Sequence, residues 1–186
     1  PNLVIAPTLE DAARAIAGLA PALVTSPNYS LFKDNPRTDD LHSMKRIVIA
    51  WEELNSAGLP CALHVNARTD FDFERWTKFI ASRPEIQFIS WEFATGGREG
   101  QRALWQSEQL CHLASSVGRP LGLVVRGGLK YLPALLGAFD SIQLIETSVF
   151  MKSMNRQQAT AANGRIVWAT KPTAIGQPVD DLMEKN

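Results

Sequence analysis

Short β-rich segments alternate with amphipathic helical patterns along the chain, and this alternation restricts the possible folds more than any other feature. Helical periodicity predicts helices between the strands, the last of them over residues 149–162, before the Asn163-Gly164 turn. Successive strand–helix–strand units imply parallel strands joined by right-handed crossovers. The predicted strands cover residues 3–6, 22–26, 61–67, 86–93, 121–126, 142–146 and 165–170.

Two α/β architectures fit this order: a TIM-like parallel β-barrel, complete or incomplete, and an open, doubly wound parallel sheet. The segment CALHVNARTDFDFERW favours the barrel, because His64, Asn66 and Arg68 alternate with the apolar Leu63 and Val65. Strands of an open sheet covered by helices on both faces are apolar nearly throughout. In a barrel, the second face points to an axis that opens into a pocket near the carboxyl ends of the strands.

Length and composition describe a globular protein without a strong global charge. The chain has 186 residues, 45% of them hydrophobic, and we expect a single α/β domain over residues 1–186. Nineteen basic residues balance nineteen acidic ones, so any attraction for nucleic acid must be local. Cys61 and Cys111 are expected to be free thiols, and no signal peptide or membrane span is recognisable, which predicts a cytoplasmic protein without a membrane partner.

Polar residues collect where the predicted strands end, whereas the opposite strand ends carry ordinary turn sequences such as AGLP and SRPE. Ligands of α/β proteins bind at the carboxyl ends of strands, so this asymmetry predicts a site there. Clustered cations and glycine amides in a chain of zero net charge predict an anionic ligand, most simply a phosphate. The predicted substrate-binding residues are Asn28, Asn66, Arg68, Arg126, Gly127, Gly128, Lys152, Arg156 and Lys171.

Three residues at the same strand ends are predicted to be catalytic. Glu92 or Glu146 would be the general base or nucleophile, and His64 the acid or an orienting group. Structural explanations compete with each role, since His64 could be a hydrogen-bonded core histidine and Glu92 a partner of Arg126 on the next strand. A divalent metal is possible but not predicted, because no diagnostic ligand spacing is present. Cofactors therefore stay unknown.

Three segments, TSPNYSLFKDNPR, MKRIVIAWEELNSAGLPCALHVNARTDFDFERW and ISWEF, resemble an uncharacterised family of phages, plasmids and other mobile elements, a domain of unknown function. The resemblance covers residues 22–95 and implies no catalytic residues. It implies an intracellular protein of mobile-element or phage-defence context, where nucleotides and nucleic acids are common substrates. The architecture also resembles TIM-barrel enzymes that act on nucleobases, such as the tRNA-guanine transglycosylases, although their cysteine-rich zinc motif is absent here.

Two functional hypotheses follow from the sequence. The first is an enzyme, a hydrolase or transferase, that acts on a phosphate-bearing small molecule or nucleic acid at the strand-end rim. The second is a non-catalytic scaffold or interaction module of a larger protein or nucleic-acid assembly, anchored by tryptophans. The sequence predicts neither the reaction nor the oligomeric state.

Overall fold

The chain forms two compact units, of which the first contains the parallel sheet. The structure is a computed structural model and describes residues 8–32, 34–93, 100–172 and 180–186. The first unit ends at Leu144, and the second covers Ile145–Asn186. The strand predicted at residues 3–6 lies outside the described residues.

Strands and helices alternate through the first unit as the sequence predicts. Strands β1 to β4 pair in parallel, and the strand order in the sheet is β1-β2-β3-β4-β5. A 3-10 turn, Leu129–Tyr131, precedes α5. The elements are α1 (Leu9–Ala17), β1 (Val24–Thr25), α2 (Arg37–Ser56), β2 (Cys61–His64), α3 (Asp70–Ala81), β3 (Phe88–Glu92), α4 (Gly100–Val117), β4 (Gly122–Arg126), α5 (Leu132–Ala138), β5 (Ser141–Ile145), α6 (Ser148–Met154), β6 (Gln157–Ala162), β7 (Arg165–Thr170) and α7 (Asp180–Glu184).

The strand order confirms the α/β class and shows an open parallel sheet rather than a seven-stranded barrel. Within the described residues, five strands lie in the sheet, and β1 and β5 are its edges. The order is sequential, so right-handed crossovers place successive helices on the same face. A doubly wound sheet would reverse its strand order at a switch point, which this sheet does not do.

The two faces of the sheet differ in what covers them. Leu63, Ile89 and Leu123 lie opposite one another on β2, β3 and β4 and are fully buried in the core. Residues of the other parity, such as His64 and Val124, are buried too but lie outside that core cluster. As predicted, Leu63 therefore packs under the helices while His64 points to the opposite face. Helix residues in the core include Trp51, Trp76, Ile80, Leu110 and Leu135.

Local sequence signals explain where the helices begin and end. Thr69 accepts a hydrogen bond from the Asp72 amide, and the Asp72 carboxylate accepts one from the Thr69 amide, which forms a capping box at the start of α3. Thr8 and Asp11 form the same capping box on α1. Gly58, with a φ of 81°, follows α2 in the left-handed region that ends helices.

The second unit contains an antiparallel hairpin where the sequence predicted a helix and a seventh parallel strand. Helix α6 ends at Met154, and Gln157–Ala162 pairs antiparallel with Arg165–Thr170. Asn163 and Gly164 join them with φ values of 51° and 71°, as a two-residue type I′ hairpin turn requires. The helix predicted over residues 149–162 is confirmed as far as Met154 and wrong beyond it, because the QQATAA segment lacks a helical apolar stripe and precedes a strong hairpin signal.

Most tryptophans and both cysteines occupy structural positions. Trp51, Trp76 and Trp91 are each at most 4% exposed, so they serve the core rather than a docking surface. Cys61 and Cys111 are free thiols, as predicted. Burial raises the pKa of Cys61 to about 12, which makes this thiol inert at neutral pH.

Candidate functional site

Glu92 and Arg126 form an ion pair at the carboxyl ends of neighbouring strands. The register of β3 and β4 places them opposite each other, and Arg126 Nη1 donates a 2.6 Å hydrogen bond to Glu92 Oε1. The Glu92 side chain is 15% exposed, whereas that of Arg126 is 47% exposed. This contact confirms the predicted meeting of the two residues, and the pair forms the centre of the candidate site.

His64 lies on the same face of the sheet, one strand from Glu92. Its ring Nδ1 is 3.2 Å from Ser90 Oγ, and its backbone amide donates a 2.8 Å hydrogen bond to Ser26 Oγ. Burial lowers the pKa of His64 to about 4, against a smaller raising effect of the Glu92 charge. The imidazole is therefore neutral at physiological pH, and a neutral imidazole has one nitrogen donor and one acceptor.

Asn66 attaches the segment that follows β1 to the end of β2. Its side-chain amide donates hydrogen bonds to Asn28 Oδ1 at 2.7 Å and to the Tyr29 carbonyl at 3.1 Å. Both amide hydrogens of Asn66 are thereby used, and within the described residues its Oδ1 accepts no hydrogen bond. Asn28 is exposed and keeps its own amide as a donor. The structure thus brings Asn28 and Asn66 together at the predicted rim.

Arg68 departs from the alternation of β2 and belongs to an ionic cluster on the helix side. Its Nη1 lies 3.4 Å from Asp40 Oδ2, an ion-pair distance without hydrogen-bond geometry. Arg37 pairs with Asp40 and Asp72, and the Arg68 amide donates to Asp72. Two arginines therefore balance two buried aspartates. The charge of Arg68 already has a protein partner, and its binding of a ligand stays a prediction.

Gly127 and Gly128 have a packing reason to be glycines. Their φ values are 72° and 70°, a region that residues with a Cβ rarely adopt. A Cβ on Gly128 would lie 2.4 Å from the Phe93 ring, so the ring excludes any side chain there. The backbone amides of the glycine pair remain predicted anion ligands, but turn geometry alone explains why both positions are glycine.

The remaining predicted site residues belong to the second unit. Glu146 accepts a hydrogen bond from the Ser148 amide, and hydrogen bonding to the side chain and then to the backbone of Ser148 lowers the pKa of its carboxyl group. Lys152 lies in α6 with its Nζ 5.7 Å from the centre of the Trp168 ring. Arg156 comes after the helix, with a φ of 54°, and its carbonyl accepts from the Lys171 amide at 2.7 Å. The predicted helix over residues 149–162 would have placed Lys152 and Arg156 on one helix, but α6 ends at Met154, before Arg156.

Sequence reasoning missed the serines that hold His64 and the acids that hold Arg68. Ser90 shares the parity of Glu92 on an otherwise apolar strand, and this signal could have identified it. Asp40 carried no comparable signal, since it lies in a polar first turn of α2 and meets Arg68 only through packing.

Two grooves lie between helices of the first unit, and no metal cluster is found within the described residues. Grooves of about 890 Å³ and 380 Å³ lie between α1 and α2 and between α3 and α4. Residues 8–32, 34–93, 100–172 and 180–186 contain no group of three or more His, Cys, Asp or Glu side chains able to hold a metal ion. The candidate site is defined by the side-chain contacts at the strand ends.

Comparisons of the chain with protein-family models, curated proteins and solved structures found no match. In the part of the chain that the structure describes, every helix is too short or too polar to cross a bilayer.

Proposed function

We propose that the carboxyl-end rim of β2, β3 and β4 binds a phosphate-bearing ligand, a nucleotide or a nucleic acid, and catalyses a hydrolytic or transfer reaction on it. The observation that carries this proposal is the Glu92–Arg126 pair, in which a half-exposed guanidinium is held beside a largely buried carboxylate. In this proposal the carboxyl ends of the parallel strands carry the chemistry, as they do in α/β enzymes generally.

Arg126 supports the binding part of the proposal because only part of its guanidinium is used. Nη1 contacts Glu92, and within the described residues Nε and Nη2 make no hydrogen bond to protein. A planar guanidinium that is fixed on one side can present its remaining donors to phosphate oxygens. Asn28, exposed at the same rim, adds a neutral amide donor.

Glu92 supports the catalytic part because one of its oxygens is free. Oε1 accepts the bond from Arg126, and Oε2 makes no protein hydrogen bond among the described residues. A positioned carboxylate oxygen of this kind can take the proton of an attacking water or hydroxyl group. The resemblance to a family of mobile elements supports nucleotides or nucleic acid as the substrate class.

Phosphate binding can be tested with one variant and a matched control. Arg126→Met removes the charge but keeps the aliphatic stem, whereas Arg75→Met removes the same charge from an exposed position on α3. We expect inorganic phosphate and nucleoside monophosphates to raise the melting temperature of the wild type and of Arg75→Met. Loss of a charge-assisted bond of about 1.5–3 kcal/mol should weaken binding to Arg126→Met by about 10- to 100-fold.

Catalysis is tested by Glu92→Gln, which removes the base while keeping an oxygen for Arg126. With a chromogenic phosphodiester as substrate, kcat should fall by about 10²- to 10⁴-fold while KM changes little. Arg68→Ala completes the set, since retained phosphate binding would assign Arg68 to the ionic cluster alone. A wild type that binds none of these ligands, or an Arg126→Met variant that binds them equally well, would refute the proposal.

A further inference from the structure

Ser90 and His64 form a buried polar pair on an otherwise apolar part of the sheet. They lie opposite each other on β3 and β2 and are 3% and 7% exposed. The 3.2 Å distance between Ser90 Oγ and His64 Nδ1 is that of a hydrogen bond, and either atom can be the donor, depending on the tautomer of the imidazole.

The surroundings of Ser90 decide which atom donates. Among the described residues, His64 Nδ1 is the one hydrogen-bond partner of the Ser90 hydroxyl group. If Nδ1 carried the hydrogen, the buried hydroxyl hydrogen would have no acceptor among the described residues, and a buried donor without an acceptor is destabilising. The hydroxyl group therefore donates to Nδ1, and the single hydrogen of the neutral imidazole lies on Nε2.

We infer that Ser90 is a positioning residue that fixes His64 as an Nε2–H donor, which donates a hydrogen bond to an oxygen atom of the ligand at the rim. Nε2 makes no hydrogen bond to the protein within the described residues, so its hydrogen is available. The identity of the ligand rests on the proposed function, but the tautomer does not. His64 then stabilises developing negative charge, and Glu92 alone takes the proton.

A second serine–histidine pair in the same chain offers an internal control. Ser116 Oγ and His112 Nδ1 are 3.0 Å apart on α4, but both residues are exposed to solvent. Water can satisfy either group in that pair, so Ser116 has no energetic reason to select a tautomer of His112. The difference between the pairs follows from burial, since their chemistry is the same.

The tautomer is measured directly by two-bond proton–nitrogen correlation spectra of the ¹⁵N-labelled full chain, with His64→Gln used to assign the signals. We expect Nδ1 of His64 to be of the unprotonated type and Nε2 of the protonated type at pH 7. Ser90→Ala should increase the share of the tautomer with a protonated Nδ1, whereas Ser90→Thr, which retains a hydroxyl group, should keep the wild-type tautomer. Ser116→Ala should leave the His112 signals unchanged. A protonated Nδ1 in the wild type, or a Ser90→Ala spectrum equal to that of the wild type, would overturn the inference.

Ligand binding tests the role of Nε2 separately, with inorganic phosphate as the probe. A glutamine amide can reach the position of Nε2, whereas an asparagine amide reaches only that of Nδ1. We therefore expect His64→Gln to bind phosphate nearly as well as the wild type, and His64→Asn to bind it about ten-fold more weakly. Equal binding by the two variants refutes donation from Nε2. A wild type that does not bind phosphate or nucleoside monophosphates refutes the proposed function, while the spectra still decide whether Ser90 sets the tautomer.

Discussion

Replacing Asp72 with alanine should destabilise the first unit more than any surface change, because this carboxylate serves several donors at once. Asp72 is fully buried and accepts hydrogen bonds from the backbone amides of Arg68 and Thr69. It also accepts from the Thr69 hydroxyl group and pairs with Arg37. Alanine leaves both amides without this acceptor and removes the capping box of α3.

The size of the effect follows from these contacts. Each amide that loses its acceptor costs about 1–1.5 kcal/mol, which gives about 2–3 kcal/mol for the two. The pair with Arg37 adds at most about 1 kcal/mol, since the Arg37 side chain is 39% exposed and reaches water. We therefore expect Asp72→Ala to lower the free energy of unfolding by about 3–4 kcal/mol. Asp72→Asn keeps an acceptor and should lose about half as much.

Urea denaturation at pH 7 measures these differences, with Glu74→Ala on the exposed face of α3 as the control. That variant removes only a surface pair with Lys78 and should change the free energy of unfolding by less than about 0.5 kcal/mol. Burial acts to raise the pKa of Asp72, but hydrogen bonds from Arg37, Arg68 and Thr69 together outweigh it and hold the pKa below its ordinary value of 3.8. The difference between wild type and Asp72→Asn should therefore be complete above that value and shrink as the pH falls below it. An Asp72→Ala variant within 1 kcal/mol of the wild type would refute this reasoning.

Three further outcomes are expected. Gly128→Ala should destabilise the protein by about 1–3 kcal/mol in urea titrations, because Gly128 has a positive φ and a Cβ there would contact the Phe93 ring. Gly137→Ala is the control and should be neutral or stabilising, because a Cβ at Gly137 meets nothing within 4 Å. Wild-type stability should fall as the pH drops from 6.5 to about 4, because the unfolded chain takes up the His64 proton first, and His64→Gln should flatten that part of the pH profile. Asn186→Ala removes three hydrogen bonds within the second unit and should speed hydrogen exchange there; unchanged exchange would contradict the assigned role of Asn186.

The features that the sequence predicted correctly are those set by local periodicity. Alternation on β2 places Leu63 and His64 on opposite faces of the sheet. Glu92 and Arg126 meet because each is the last residue of one of two neighbouring parallel strands. Parallel pairing of neighbouring strands then needs no information beyond the order of elements. These contacts follow because each depends on one strand and its immediate neighbour.

The predictions that failed depend on competition between local signals or on distant packing. The segment 157–162 is short, polar and alanine-rich, and its helical propensity suggested a helix. The Asn163-Gly164 turn is the stronger signal, and it joins this segment to the next as two strands of a hairpin. Arg68 was placed with the ligand-facing residues because β2 was predicted to be longer than it is. The strand ends at His64, and the chain then turns Arg68 toward Asp40, 28 residues earlier in the sequence.

The sequential order of the sheet also bears on how the chain reaches its native state. Each strand finds its partner in the next strand along the chain, so pairing closes only the loop formed by a single intervening helix. A strand leaving the ribosome therefore meets a partner that has already been synthesised, and the β-α units can dock one after another from β1 onward. We expect nascent chains released after β4 to protect the amides of β2 and β3 from hydrogen exchange before β5 has been made.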